Sequence, residues 1–198
     1  MLDAQLSTIH SQLVKWVVFL RGVNVGGANL CKPAQLAKQL KKFDIVNIGA
    51  VGTFVVRENV SESILRAAIA KKLPFECEIM IVPAKAIADL VRHRTDSPGR
   101  ARKDPFARQP SGPNITRFAS VLRKQPDKLP PIPLCLPSEK DWLLKILKVE
   151  KQFVLGIYRR QMKAIGYLGK IEKILGVPAT TRSWSTMEKV LKILEDDH

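Results

Sequence analysis

The order in which short apolar runs alternate with helical patterns constrains this chain more than any other feature. Val17–Leu20 is an unbroken apolar run, as expected of a strand covered on both faces. Pro33 suits the first turn of a helix. Leu36, Leu40 and Phe43 then recur on one face, with Lys38, Lys41 and Lys42 outside. Ile45–Ile48 and Phe54–Arg57 read as two strands of a hairpin joined by the turn Gly49–Thr53. Asn59-Val60-Ser61-Glu62 is a capping pattern with a carboxylate three residues after the cap. The helix it opens carries Ile64, Leu65, Ala68, Ile69 and Leu73 and stops at Pro74. Glu78–Val82 is a fourth strand, and the helix after Pro83 places Ile87, Leu90 and Val91 on one side. β-α-β-β-α-β is the ferredoxin-like plan, an α+β fold with two helices on one face of a four-stranded sheet.

The rest of the chain is arranged around that block. Residues 1–15 space Leu2, Leu6, Ile9 and Leu13 as one face of a short amphipathic helix, an N-terminal extension suited to packing on the first strand or on a second copy of the chain. Residues 16–91 form the ferredoxin-like subdomain. Residues 92–113, rich in Arg, Pro, Gly and Ser, read as a basic linker. Residues 114–198 form a second, degenerate α+β half. In it Ile115–Leu122 is a strand, Gln125–Pro137 is extended, and Ser138–Asp141 makes a short helical turn. Leu143–Val149 and Phe153–Tyr158 make a hairpin around Glu150-Lys151. A helix over Met162–Leu175 puts Ile165, Leu168, Ile171 and Leu175 inside and ends at Gly176 and Pro178. The last helix carries Met187, Val190, Leu191 and Leu194, with Ser185 and Glu188 as a capping box.

Charge bears on partners. Lys and Arg number 33 against 18 Asp and Glu, a net of +15. The excess is uneven: residues 1–90 carry a net of +4 and residues 91–198 a net of +11. A surface this basic attracts polyanions, nucleic acid among them. Arg100, Arg102 and Lys103 in the linker and Arg159, Arg160 and Lys163 near the C-terminus are the candidate contacts. Aromatic residues make up only 6% of the chain, and a base-stacking sheet needs aromatics on its first and third strands. Phe19 and Phe54 read as core residues, and Arg57 stands where a further ring is expected.

Other classes are disfavoured. Cys31, Cys77 and Cys135 are an odd count without a close pair, which argues against a disulfide framework and for a reducing compartment. His10, His93 and His198 lack metal-ligand spacing, so neither a metal nor another cofactor is expected. No apolar stretch reaches membrane-spanning length and the N-terminus has no signal-peptide pattern, which makes the cytoplasm the default expectation. No Ser-His-Asp, Cys-His or paired-carboxylate arrangement marks a catalytic centre.

One loop carries binding chemistry. After the first strand come Arg21, Gly22, Asn24, Gly26 and Gly27. The glycines can take positive φ and let a ligand approach, Arg21 can grip a carboxylate or phosphate bidentately, and backbone N–H groups beside a helix start favour an anion. The loop has neither the G-x-G-x-x-G order nor a following Gly-Lys-Ser/Thr. Near the other end of the chain Thr181, Arg182 and Trp184 precede a helix, where hydroxyls and a guanidinium can meet an anion. If Arg21 and Arg182 converge, one pocket forms between the halves.

These two segments carry a resemblance. Leu20-Arg21-Gly22-Val23-Asn24-Val25-Gly26-Gly27, followed by Pro33-Ala34-Gln35-Leu36, resembles the N-terminal signature of the domain of unknown function 1697 family. Ala179-Thr180-Thr181-Arg182-Ser183-Trp184-Ser185-Thr186 is similar to that family's C-terminal Thr-Arg-Asn-Trp-Asn-Thr segment, with Ser183 and Ser185 in place of the asparagines. Ala50-Val51-Gly52-Thr53 stands where relatives have an Asn-Ser-Gly-Asn-like turn. The resemblance implies a bacterial, cytoplasmic, ferredoxin-like α+β protein and no established activity. Three readings of function follow: polyanion binding, a small-ligand site or enzyme at the Arg21–Gly27 loop, and an oligomerising protein using the N-terminal helix.

Overall fold

β1 (Trp16–Leu20) is buried along nearly its whole length. The computed structural model, which describes residues 15–27, 29–95 and 104–196, shows what covers each face. Val18 and Leu20 meet Leu36 of α1 (Pro33–Gln39), Leu40 and Phe43 at the 3₁₀ turn that follows it, and Leu65 and Ile69 of α2 (Glu62–Lys72). Val17 and Phe19 face a different cluster, shared with the second half. β2 (Ile45–Ile48), β3 (Thr53–Val56) and β4 (Ile79–Pro83) complete an antiparallel sheet in the order β2-β3-β1-β4, the ferredoxin-like arrangement. Two-sided cover explains why this antiparallel sheet reads as continuous apolar runs and not as an alternation. The cap of α2 is Ser61 and not Asn59: its hydroxyl accepts the Ile64 N–H at 3.4 Å. Pro83 closes β4, and α3 (Ala84–Thr95) begins after it.

The second half builds β5 (Ile115–Leu122), β6 (Leu134–Leu136), β7 (Leu144–Glu150), β8 (Phe153–Arg159) and β9 (Ala179–Ser183) into an antiparallel sheet in the order β6-β7-β8-β5-β9. Set β6 aside and β7-β8-β5-β9 repeats β2-β3-β1-β4 position for position. α4 (Met162–Leu168) and α5 (Lys170–Leu175) stand where α2 stands in the first half, and α6 (Trp184–Glu195) where α3 stands. β6 and the proline-rich chain before it replace α1.

Several expectations change here. Met162–Leu175 is two helices divided at Gly169, and only Ile171 and Leu175 of the expected inner face are fully buried; Ile165 is 56% exposed. Ser138–Asp141 is a turn closed by the Asp141 N–H on the Ser138 hydroxyl. α6 starts at Trp184, so its cap position is Ser183 and not Ser185. The Ser183 hydroxyl bonds those of Ser185 and Thr186 at 2.9 and 3.0 Å. The β7–β8 hairpin turns one residue later than expected, on Lys151 and Gln152, and Lys151 takes φ 54°. A side chain there costs roughly 1–2 kcal/mol that glycine avoids, against about 0.5–1 kcal/mol of extra chain entropy. Lys151→Gly is therefore expected to raise stability by about 0.5 kcal/mol, read as a higher urea midpoint at unchanged m-value.

The halves share a core. α3 and α6 pack together, and Ile87, Leu90 and Val91 join Met187, Val190 and Leu194 between the inner faces of both sheets. Outside this layer lie the separate cluster under α1 and α2 and a third under α5, built on Phe118, Ile146, Ile171 and Leu175. The segment expected as a basic linker contributes to the shared layer: α3 runs on to Thr95, and Phe106, 2% exposed, meets the Trp184 ring edge-on at 5.2 Å. The expected N-terminal helix with Leu2, Leu6, Ile9 and Leu13, and the cations Arg100, Arg102 and Lys103, fall outside the described residues.

Candidate binding clefts

Arg21 and Arg182 do converge. Both line a cleft of about 500 Å³ between the halves, walled by the glycine loop, the β2–β3 turn, α4, the start of α5 and β9. The convergence works differently from an anion clamp. Arg182 is 6% exposed, on the inner face of β9. Its Nε donates to the Thr53 hydroxyl at 2.7 Å. Its Nη1 donates to the Thr180 hydroxyl and the Thr181 carbonyl, and its Nη2 to the carbonyls of Leu20 and Val51, all within 2.8–2.9 Å. The guanidinium also lies over the Phe19 ring at 5.7 Å. Burial draws its pKa down to about 10, so it remains charged at neutral pH. Every donor nitrogen has a protein partner, which makes Arg182 a tie between the halves and not a ligand contact.

Arg21 is partly committed. Its Nε donates to Glu172 Oε2 at 3.1 Å and its Nη2 to Oε1 at 2.9 Å, from a side chain 41% exposed. Asn24 is a brace inside the loop. Its amide donates to the carbonyls of Cys31 and Ala50 and its oxygen accepts the Cys31 N–H. The Gly22 carbonyl accepts the Asn29 amide at 3.3 Å. Gly26 and Gly27, at φ 60° and 77°, have open space where a Cβ would stand. Thr181 bonds the Ser120 hydroxyl at 2.6 Å, and Trp184 is a core residue. Cys31 and Cys77 pack at the edge of the first core, and burial raises both thiols, away from the reactive thiolate. Among the described residues no group of three His, Cys, Asp or Glu is placed to hold a metal.

A second feature lies at the far end of the second sheet. Clefts of about 330 and 450 Å³ share Pro110, Ile115 and Arg160 and so run into one another. Arg117 lines the first and Arg159 the second. Each guanidinium is oriented by a neutral partner. Arg117 lies over the Phe106 ring at 5.3 Å, Arg159 over Trp142 at 4.7 Å, and the Arg160 Nε donates to the Thr116 hydroxyl at 3.0 Å. Lys145 covers the Trp142 ring at 4.7 Å as well. Among the described residues none of these four cations has a carboxylate partner, and Glu188 is the one acid lining the clefts. Of the cations singled out in the sequence, Arg159 and Arg160 meet here; Lys163 is exposed on α4. Arg117 and Lys145 were not read from the sequence, although each sits beside a buried position on its strand.

Residues 13–108 match the family model described as "Protein of unknown function (DUF1697)". Over 92% of this chain and 98% of the other, the fold is similar to that of the conserved bacterial protein SP0830 from Streptococcus pneumoniae, at 12% identity and a TM-score of 0.52. No curated protein matches the sequence. Among the described residues no helix is long and apolar enough to cross a membrane. Over residues 13–108, which hold the first sheet and the Arg21 loop, the chain is similar to the DUF1697 family of unknown function.

Proposed function

We propose that the chain binds a polyanion, with nucleic acid as the first candidate, along the joined clefts at Arg117, Arg160 and Arg159. The observation that carries the reading is that three guanidiniums on one face are fixed by rings and a hydroxyl while no carboxylate among the described residues pairs with them. Orientation without neutralisation favours phosphate, because Arg meets it bidentately and pays little further entropy on binding. Trp142 is 6% exposed and covered by Lys145 and Arg159, so the contact is to backbone phosphates and not to stacked bases. Sequence preference is accordingly expected to be weak.

Fluorescence polarisation of a labelled single-stranded 20-mer, titrated with the full chain between 50 and 300 mM salt, tests this. Replacing Arg117, Arg159 and Arg160 together by glutamine should weaken binding at least thirtyfold at 50 mM salt. It should also flatten the log–log salt slope by about 2, at roughly 0.7 per lost phosphate contact. The control Lys38→Gln/Lys41→Gln/Lys42→Gln removes equal charge from the α1 region of the first half. Equal losses in the two triple variants, or no binding at 50 mM salt, would overturn the reading.

A further inference from the structure

The cleft between the halves is a separate site that shares no lining residue with the arginine clefts. Three large apolar side chains open into it from three different elements: Val25 of the glycine loop, 60% exposed, Val51 of the β2–β3 turn, 37% exposed, and Ile165 of α4, 56% exposed. Ile165 occupies a position whose helical spacing marks it as core, yet among the described residues it stays 56% exposed. Isolated exposed apolar side chains are ordinary, but several gathered around one concave space mark a binding surface.

The cleft also holds a prepared charge. Glu172 engages the Nε/Nη2 side of Arg21 and fixes how the guanidinium lies. Nη1 makes no hydrogen bond to any described residue, so the Nη1/Nη2 end can still accept a second planar anion. Both oxygens of Glu172 are already engaged by Arg21, which leaves the carboxylate a poor anchor for an amine, and the net charge of +15 favours an anionic guest.

We propose that this cleft binds a small monocarboxylate with an apolar body. The carboxylate sits on the free end of Arg21 and the body lies against Val25, Val51 and Ile165. The volume, about 500 Å³, falls inside the range of small-molecule sites, about 300–1,000 Å³. Glu172 acts as a positioning residue that holds Arg21 in place.

Octanoate is a suitable probe, with 1-octanol as the uncharged match and inorganic phosphate as the headgroup without a body. Backbone amide shifts of the ¹⁵N-labelled full chain are followed during titration with each. Octanoate should give saturable shifts at Gly22, Val25, Val51, Ile165 and Gly169. Arg21→Gln should weaken it at least tenfold, and Ile165→Glu, a charge at an exposed position that the fold tolerates, should weaken it as much. Glu172→Gln should keep octanoate affinity within threefold, because the amide oxygen still accepts a hydrogen bond from Arg21 and keeps the guanidinium oriented. The proposal is overturned if octanoate produces no saturable shift or if octanol binds as tightly. It is equally overturned if phosphate alone moves the same amides at the same concentration, or if Glu172→Gln loses as much as Arg21→Gln. None of these outcomes touches the oligonucleotide measurement, so the two sites stand or fall separately.

Discussion

Replacing Arg182 with alanine is expected to lower folding stability by about 2–4 kcal/mol; its partners are all neutral, so the cost is that of buried acceptors left without a donor and of lost packing. The loss has two parts. The Val51 carbonyl and the Thr53 hydroxyl lose their guanidinium donor, the Leu20 carbonyl keeps only the Thr180 hydroxyl at 3.4 Å, and an orphaned buried polar group costs about 1–3 kcal/mol. The side chain also fills space over Phe19. Against this, the variant recovers the cost of burying a charge, which keeps the net below the simple sum. Lysine should recover little: an ammonium has three donors and no planar fork, while the site offers acceptors from three segments of the chain. Arg182→Met tests packing alone, since it keeps much of the volume and none of the donors; it should still lose more than half of the alanine effect. Urea unfolding of the three variants decides the matter. A loss under about 1 kcal/mol for alanine would show that water reaches these carbonyls and that the tie is dispensable.

That tie matters because the ion pairs that join the halves among the described residues are exposed. Arg21–Glu172, Arg123–Glu78 and Arg92–Glu195 all cross between segments of the two halves, with side chains 30–57% exposed. Pairs of this kind contribute from nothing to about 1 kcal/mol each and weaken with salt. Cohesion between the halves therefore rests on the shared apolar layer around α3 and α6 and on the buried Arg182. Both clefts inherit their shape from it. The Arg182 hydrogen bonds fix β9 against the end of β1, which forms one wall of the cleft at Arg21.

The first half was legible because each of its strands is apolar and each helix has a one-sided pattern; burial on both faces of the sheet leaves no ambiguity of period. The second half was legible only where the same holds, in β5, β7, β8 and α6. β9 is Ala-Thr-Thr-Arg-Ser, and no apolar period marks it. Its inner face is a pair of polar side chains satisfied by residues some 130–160 positions away, information that only the folded chain contains. Arg182 looked available for the same reason: a guanidinium's partners here are backbone carbonyls, which no sequence motif announces. Ile165 shows the converse limit. Helical spacing identifies a face, and it does not distinguish a face packed on a core from one that lines an open cleft. The arginine clefts were half visible, through Arg159 and Arg160 at the end of an expected strand, while Arg117 joins them only once β5 is paired beside β8.

The second large effect is expected at Gly156, in the middle of β8. A Cβ built there would stand 2.2 Å from the Lys145 carbonyl oxygen and 2.6 Å from two atoms of the Phe118 ring. Phe118 pairs with Gly156 across β5–β8 and lies over it, so the ring occupies the space a side chain would need. The ring can rotate or shift; the carbonyl belongs to β7, beside a register shift between Ile146 and Lys148, and can move only with the strand. Gly156→Ala should therefore cost about 3–4 kcal/mol, above the usual overpacking range of roughly 1–3 kcal/mol, because the closest contact is backbone. Gly26→Ala is the matched comparison. It meets nothing within 4 Å and suffers only from φ 60°, a penalty of about 1–2 kcal/mol. Phe118→Leu in the Gly156→Ala background separates the two contacts. If the carbonyl dominates, the smaller side chain relieves little and the double variant is at least as unstable as the single one. A rescue of more than half the loss would instead assign the penalty to the ring, and would mean that β7 and β8 can part far enough to relieve the 2.2 Å contact.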